Sequence, residues 1–178
     1  MSDSPLTVPD AITFEQAIHL THALLGQMEA GNLSEAEIES TLTDLVSSEN
    51  GARGFFVTYL TNDRPFADHP TPAVVHALQA SPEIVAELLV KNVAMSTAMA
   101  ITHRRNQNEE MAQGSDRVQR RTAHLIQLVQ LPQVIQKTTA LRQSAATGTG
   151  AYQAFLDRWN YDSEQRQAIQ QSLEQLPI

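Results

Sequence analysis

The chain has 178 residues, a net charge of −8, 42% hydrophobic and 5% aromatic residues, and no cysteine. The missing thiols exclude disulfides, thiolate catalysis and Cys-based zinc sites. The negative balance disfavours general binding to nucleic acid or anionic membranes. The length suits a single domain whose core is built mainly from Leu, Ile, Val, Ala and Met.

Residues 1–12, with Pro5 and Pro9, read as a disordered lead without the basic and apolar stretches of a signal peptide. Thr13 and Gln16 form a capping box that opens a first helix, and Gly31 closes it. Ser34 and Glu37 open a second helix at once, so the two are expected to pack as an antiparallel hairpin. Residues 49–54 contain Gly51 and Gly54 and break the pattern. Residues 55–61 have a strand-like composition, but no partner strand is in view, and a short helix is expected there.

Thr71-Pro72 and Ser81-Pro82 each pair an N-cap with a first-turn proline, predicting helices over 72–80 and 82–112. The longer one is apolar on nearly every side between Ile84 and Ile101, which places it at the centre of a bundle. Glu87, Lys91 and Asn92 inside that stretch argue for a buried helix and against a membrane span. Its polar end, from His103 to Glu110, is expected to project or break. Gly114 and Ser115 then start a helix over 116–130, and Pro132 starts another to about residue 144.

Thr147-Gly148-Thr149-Gly150 reads as a hinge. Beyond it, residues 151–176 form a terminal hairpin with Tyr152, Phe155, Leu156 and Trp159 in one stripe and a third capping box at Asp162 and Gln165. The expected fold is all α: an irregular bundle of about seven to nine helices around a long central helix. Its parts are a lead over 1–12, a bundle over 13–146 and a hairpin over 151–176.

Charge is unevenly distributed. The first fifty residues hold nine acids and no Lys or Arg, whereas residues 101–150 hold seven basic residues against three acidic ones. Arg104, Arg105, Arg117, Arg120 and Arg121 cluster there, and Arg117, Arg120, Arg121 and His124 share one side of a helix. Such a row can hold carboxylates or phosphates by forked bonds, or it can face the acidic N-terminal helices or water. With two lysines in the chain and no aromatic residues among the arginines, a base-stacking platform is not visible. Glu15, His19 and His22 are metal-ligand types on one helical face, but one short helix rarely supplies a whole site. Met95 and Met99 have helical spacing and suit core filler better than a ligand pocket.

Two stretches, Glu49-Asn50-Gly51-Ala52-Arg53-Gly54-Phe55-Phe56 and Ala94-Met95-Ser96-Thr97-Ala98-Met99-Ala100-Ile101-Thr102-His103-Arg104-Arg105-Asn106, resemble an uncharacterised cyanobacterial helical protein family. The abundance of Gln and scarcity of Lys agree with it. The resemblance implies a cytoplasmic bacterial protein and carries no functional residue.

Together these features predict a cytoplasmic, non-enzymatic interaction or assembly factor. No phosphate loop, nucleophile elbow or His-Glu-x-x-His motif is present. The expected partner is a protein with an acidic surface, met by the arginines, His124, and Tyr152, Phe155 and Trp159 of the hairpin. No cofactor or metal is expected, nucleic acid is disfavoured, and a homodimer through the long helix is a further expectation. The alternatives are a small-molecule or pigment binder in the core near Phe55, Met95 and Met99, or an enzyme of unknown class.

Overall fold

A computed structural model describes residues 6–178; residues 1–5, the start of the expected lead, lie outside the described residues. Among the described residues there are nine α-helices, one 3-10 turn and no strand, so the fold is all α. Residues 55–61 are helical as expected. The chain groups into two compact units, residues 1–88 and 89–178. The division falls inside a helix, and both sides of the Thr147–Gly150 turn belong to the second unit.

The first unit holds α1 (Phe14–Glu29), α2 (Glu35–Leu45), α3 (Glu49–Thr61), the 3-10 turn Pro65–Ala67, α4 (Pro72–Gln79) and the start of α5 (Pro82–Arg105). The capping boxes at Thr13 and Ser34 form as their spacing dictates: each hydroxyl accepts from the backbone three residues on, and each side chain there accepts in return. Leu6 and Ile12, within the expected disordered lead, are buried.

Two expectations fail in this unit. The antiparallel α1–α2 hairpin does not form, because α1 packs along α3 and α2 packs along α4, while α1 and α2 touch little. Residues 49–54 are not a break. They are the first turns of α3, capped by Ser48, whose hydroxyl accepts from the Gly51 amide. The glycines serve close packing. A Cβ on Gly54 would lie 2.3 Å from the Ala17 Cβ of α1, and one on Gly51 would lie 1.9 Å from the Leu45 carbonyl oxygen. The core beside this seam includes Phe55 stacked on Tyr59, with ring centroids 4.8 Å apart.

The second unit holds the rest of α5, then α6 (Glu109–Val129), α7 (Pro132–Thr147), α8 (Gln153–Arg158) and α9 (Ser163–Glu174). The long helix ends at Arg105, not 112. Gln107 adopts the left-handed region at φ 57°, and Asn108 recaps the chain by accepting from the Met111 amide. Helix α6 therefore starts seven residues before the expected 116, and Gly114 and Ser115 lie inside it. Glu109 and Glu110 favour its positive dipole end.

The expected hinge is a hydrogen-bonded turn. Gly148 closes α7 at φ 74°, the Thr147 hydroxyl bonds on both sides, and the Tyr152 amide donates to the buried Ser144 hydroxyl over 3.1 Å. Helix α9 packs on α7, buries Ile169 and Leu173, and meets α5 through polar groups. The buried Gln165 amide donates to the Ala98 carbonyl and the Thr102 hydroxyl, and Thr97 and Gln119 both bond the Ser172 hydroxyl.

Helix α5 is the one helix among the described residues with the length and composition to cross a membrane, at a mean hydropathy of 1.5 over its most apolar window, and 56% of that window is buried.

Candidate functional site

The five clustered arginines do not form one free basic surface. Arg104, at the end of α5, bonds both Glu109 (3.1 Å) and Asp116 (2.7 Å). Arg105 bonds Asp162 (2.6 Å) and Glu164 (3.1 Å) at the start of α9. These carboxylates, Asp116 first for Arg104 and Asp162 first for Arg105, hold both guanidinium groups above their ordinary pKa. Conversely, the Arg105 bond and then the Gln165 amide hold the Asp162 carboxyl below its usual range. Asp162 thus caps α9 and ties it to α5 at once.

The row on α6 divides by depth. Arg121 is 3% exposed, and both it and Arg117 have interaction partners within the chain. Arg120 faces solvent and makes no ion pair among the described residues, and His124 is half-buried. Periodicity put these residues on one side of a helix; packing then took Arg121 into the interior.

The aromatic stripe divides likewise. Tyr152 is buried, and Phe155 is half-buried between Tyr152 and Tyr161, with the Lys91 ammonium 5.3 Å from its ring centre. Burial pushes the Tyr161 hydroxyl up to about 12. Helix α8 ends before Trp159, which is 47% exposed beside the Arg158 guanidinium. Glu15, His19 and His22 stay exposed, and no group of three or more metal-ligating His, Asp or Glu side chains occurs among the described residues. Met99 is exposed, whereas Phe55 belongs to the close-packed core of the first unit.

Sequence reasoning missed a groove in the second unit, at the corner between α6 and α7. It has a volume of about 430 Å³. Ile126 and Leu131 form its apolar floor. One wall is Ile135 with Pro132, and the other is Ile178 with Pro177, just beyond α9. Ile135 and Ile178 are 53% and 54% exposed, more than any other large apolar side chain among the described residues. Gln127 and Gln130 supply the polar edge, and none of the lining side chains is charged.

The signal for Ile135 was present in the chain. Val134 and Ile135 are adjacent apolar residues on a helix, about 100° apart, and α7 has one buried face. Val134 took it at 1% exposure, leaving Ile135 outside. For Ile178 no comparable local signal exists.

No curated protein and no solved structure matches this chain. Residues 13–176 match the model of one family, a span that contains both stretches singled out in the sequence, and the chain belongs to that family, described as the uncharacterised conserved protein UCP020893.

Proposed function

We propose that this is a non-enzymatic, cytoplasmic interaction factor that docks a partner protein at the groove closed by Ile135 and Ile178. The observation that carries the reading is that pair of exposed isoleucines facing an open, largely apolar concavity. Interface energy concentrates in a few side chains that become buried in desolvated pockets, while exposed ion pairs contribute little. The cytoplasmic location is supported by α5, where Glu87 and Lys91 interact within the chain, as fits a helix turned to protein and not to lipid. The arginine cluster plays at most a steering part, since Arg104 and Arg105 already have carboxylate partners and Arg121 is buried.

The test is a photo-crosslinking amino acid placed at Ile135 or, as control, at the exposed Gln143 on the same helix, in cells of the source organism. Discrete adducts from position 135 that are absent from position 143 are expected. Equal patterns, or none from 135, would reject the groove as a docking surface.

A second reading places a small apolar ligand in the same groove, because its volume falls in the range of roughly 300–1,000 Å³ common to ligand pockets. A stoichiometric added mass in native mass spectra, lost in Ile135→Glu, would favour that reading.

A further inference from the structure

Packing dictates a glycine at position 51 of α3, and the residue before it is asparagine. Gly51 is buried, and a Cβ there would lie 1.9 Å from the Leu45 carbonyl oxygen, so any larger residue clashes with backbone. Asn50 is exposed, and its side chain makes no hydrogen bond among the described residues. Asparagine is also a poorer helix former than Ala, Glu, Lys or Gln. Nothing in the fold calls for an amide at position 50, yet it stands in the one Asn-Gly step of the sequence.

We propose that Asn50 is a site of spontaneous deamidation, gated by the opening of the first turn of α3. The Gly51 backbone nitrogen attacks the side-chain carbonyl carbon of Asn50. A carbon–nitrogen bond forms there, the bond to the side-chain nitrogen breaks, and ammonia leaves with the amide proton. Water then opens the cyclic imide at either carbonyl. One route gives aspartate; the other gives isoaspartate, whose main chain runs through the former side chain. Nothing is oxidised or reduced, and water is the co-reactant. A following glycine favours the first step, because no side chain shields its nitrogen.

The folded state withholds that nitrogen lightly. Ala52 is the first amide of α3 held by the helix ladder, donating to the Ser48 carbonyl over 2.9 Å. Gly51 comes one residue earlier, and its amide is held by the Ser48 hydroxyl alone, over 3.1 Å. Ring closure also requires the Asn50 ψ to leave the helical range. Both restraints vanish when the first turn frays, and helix ends open at the lowest cost.

The two products act differently. Aspartate adds a negative charge beside Glu49 near the positive end of α3, where it fits. Isoaspartate lengthens the main chain by a methylene where Gly51 lies against Leu45, and it moves the amide away from Ser48. The start of α3 must then reseat, and with it the Gly54–Ala17 contact on α1.

The experiment ages the full chain at mildly alkaline pH and follows residue 50 by peptide mapping, which separates aspartate from isoaspartate. The same chain unfolded in denaturant sets the ungated rate, and the folded wild type should convert far more slowly. Ser48→Ala should convert about fivefold faster than wild type, because losing the cap raises the open population by that factor. Ser48→Asp restores a cap acceptor and should return to the wild-type rate. Far-ultraviolet spectra check that both variants fold. Asn50→Asp should melt at or above wild type, and the isoaspartate form isolated by chromatography should melt lower.

A folded wild type that converts as fast as the unfolded chain would overturn the gate. So would a folded Ser48→Ala no faster than wild type. A residue 50 left intact in folded Ser48→Ala, while the unfolded chain converts fully, would overturn the site itself. An isoaspartate form that melts with wild type would overturn the reseating of α3.

Discussion

Replacing Gly54 by alanine sets two large effects against each other at a known distance. Alanine is favoured over glycine inside a helix by about 1 kcal/mol, so the change should stabilise wherever space allows. It does allow at Gly26 and Gly114, where an added Cβ meets nothing within 4 Å. At Gly54 the new Cβ would lie 2.3 Å from the Ala17 Cβ, 2.9 Å from the Phe14 carbonyl oxygen and 3.0 Å from the Ala17 carbonyl carbon. Carbon atoms pack at ~3.5–4.0 Å, so α1 must retreat from α3 by roughly 1.2–1.7 Å. Two of the three obstructing atoms are backbone, and no rotamer change relieves them.

Overpacking of this kind costs about 1–3 kcal/mol, and the backbone clash puts Gly54 at the upper end. After the propensity gain, the net loss is about 2 kcal/mol, or a melting temperature lower by about 4–8 °C for a chain of this size. Calorimetric melts of Gly54→Ala, Gly26→Ala and Gly114→Ala should give one decrease and two small increases. Adding Ala17→Gly to Gly54→Ala should recover part of the loss, because it removes the nearest atom. A Gly54→Ala melt at or above that of Gly114→Ala would refute the close α1–α3 approach.

Further outcomes concern the second unit. Gln165→Ala removes the donor to the Ala98 carbonyl and Thr102 hydroxyl from a site 6% exposed and should cost about 2–3 kcal/mol in denaturant titration; a loss under about 0.5 kcal/mol would show that water replaces the amide freely. Asp162 ionises below its ordinary value, so its contribution is complete at neutral pH and is lost as pH falls through the depressed pKa. Amide protection of α9 should hold from neutral pH to about 5 and drop below about 4. Asp162→Asn, which keeps a cap acceptor without the charge, should flatten that response, and a response as steep as wild type would assign it elsewhere. Hydrogen exchange should also be faster over 151–176 than over 84–101, because α9 meets α5 through polar groups and exposed ion pairs; equal protection contradicts this.

Some of this architecture could be read from the chain because its causes are local. The capping boxes at Thr13, Ser34 and Asp162 involve partners three residues apart, and all three form. Thr71-Pro72 and Ser81-Pro82 start α4 and α5 for the same reason. Where the cause is distant, local reading fails. Gly51 and Gly54 look like punctuation but are there so that Leu45 and Ala17 can come close. Gly114 looks like a helix start, yet the helix had already been capped by Asn108, a weaker-looking signal followed by two favourable glutamates. Short connections suggested that α1 and α2 pair, but neighbours in sequence were outcompeted by the tighter α1–α3 seam. The arginine row had the right periodicity, and periodicity does not say what a face meets.

The surface features are separated by what water does for each. An exposed guanidinium is well hydrated, and Arg104 and Arg105 also have carboxylates at hand, so neither requires an external partner. Exposed isoleucine is different, since complete burial of such a side chain contributes ~1.5–3 kcal/mol. Ile135 and Ile178 are each slightly more than half exposed, so together the isolated protein lacks about 2 kcal/mol of burial that an occupant of the groove would supply. This gives a last expectation, on Ile135→Gln. If Ile135 serves docking, the isolated variant should melt within about 5 °C of wild type, because half of the lost contacts were never made. The same variant should abolish the adducts captured by a photo-crosslinking amino acid placed at Gln127 on the groove edge. A melting temperature lower by more than about 5 °C would mean that Ile135 holds α6 and α7 together. The groove would then be an unfilled edge of the core, and its exposure would say nothing about a partner.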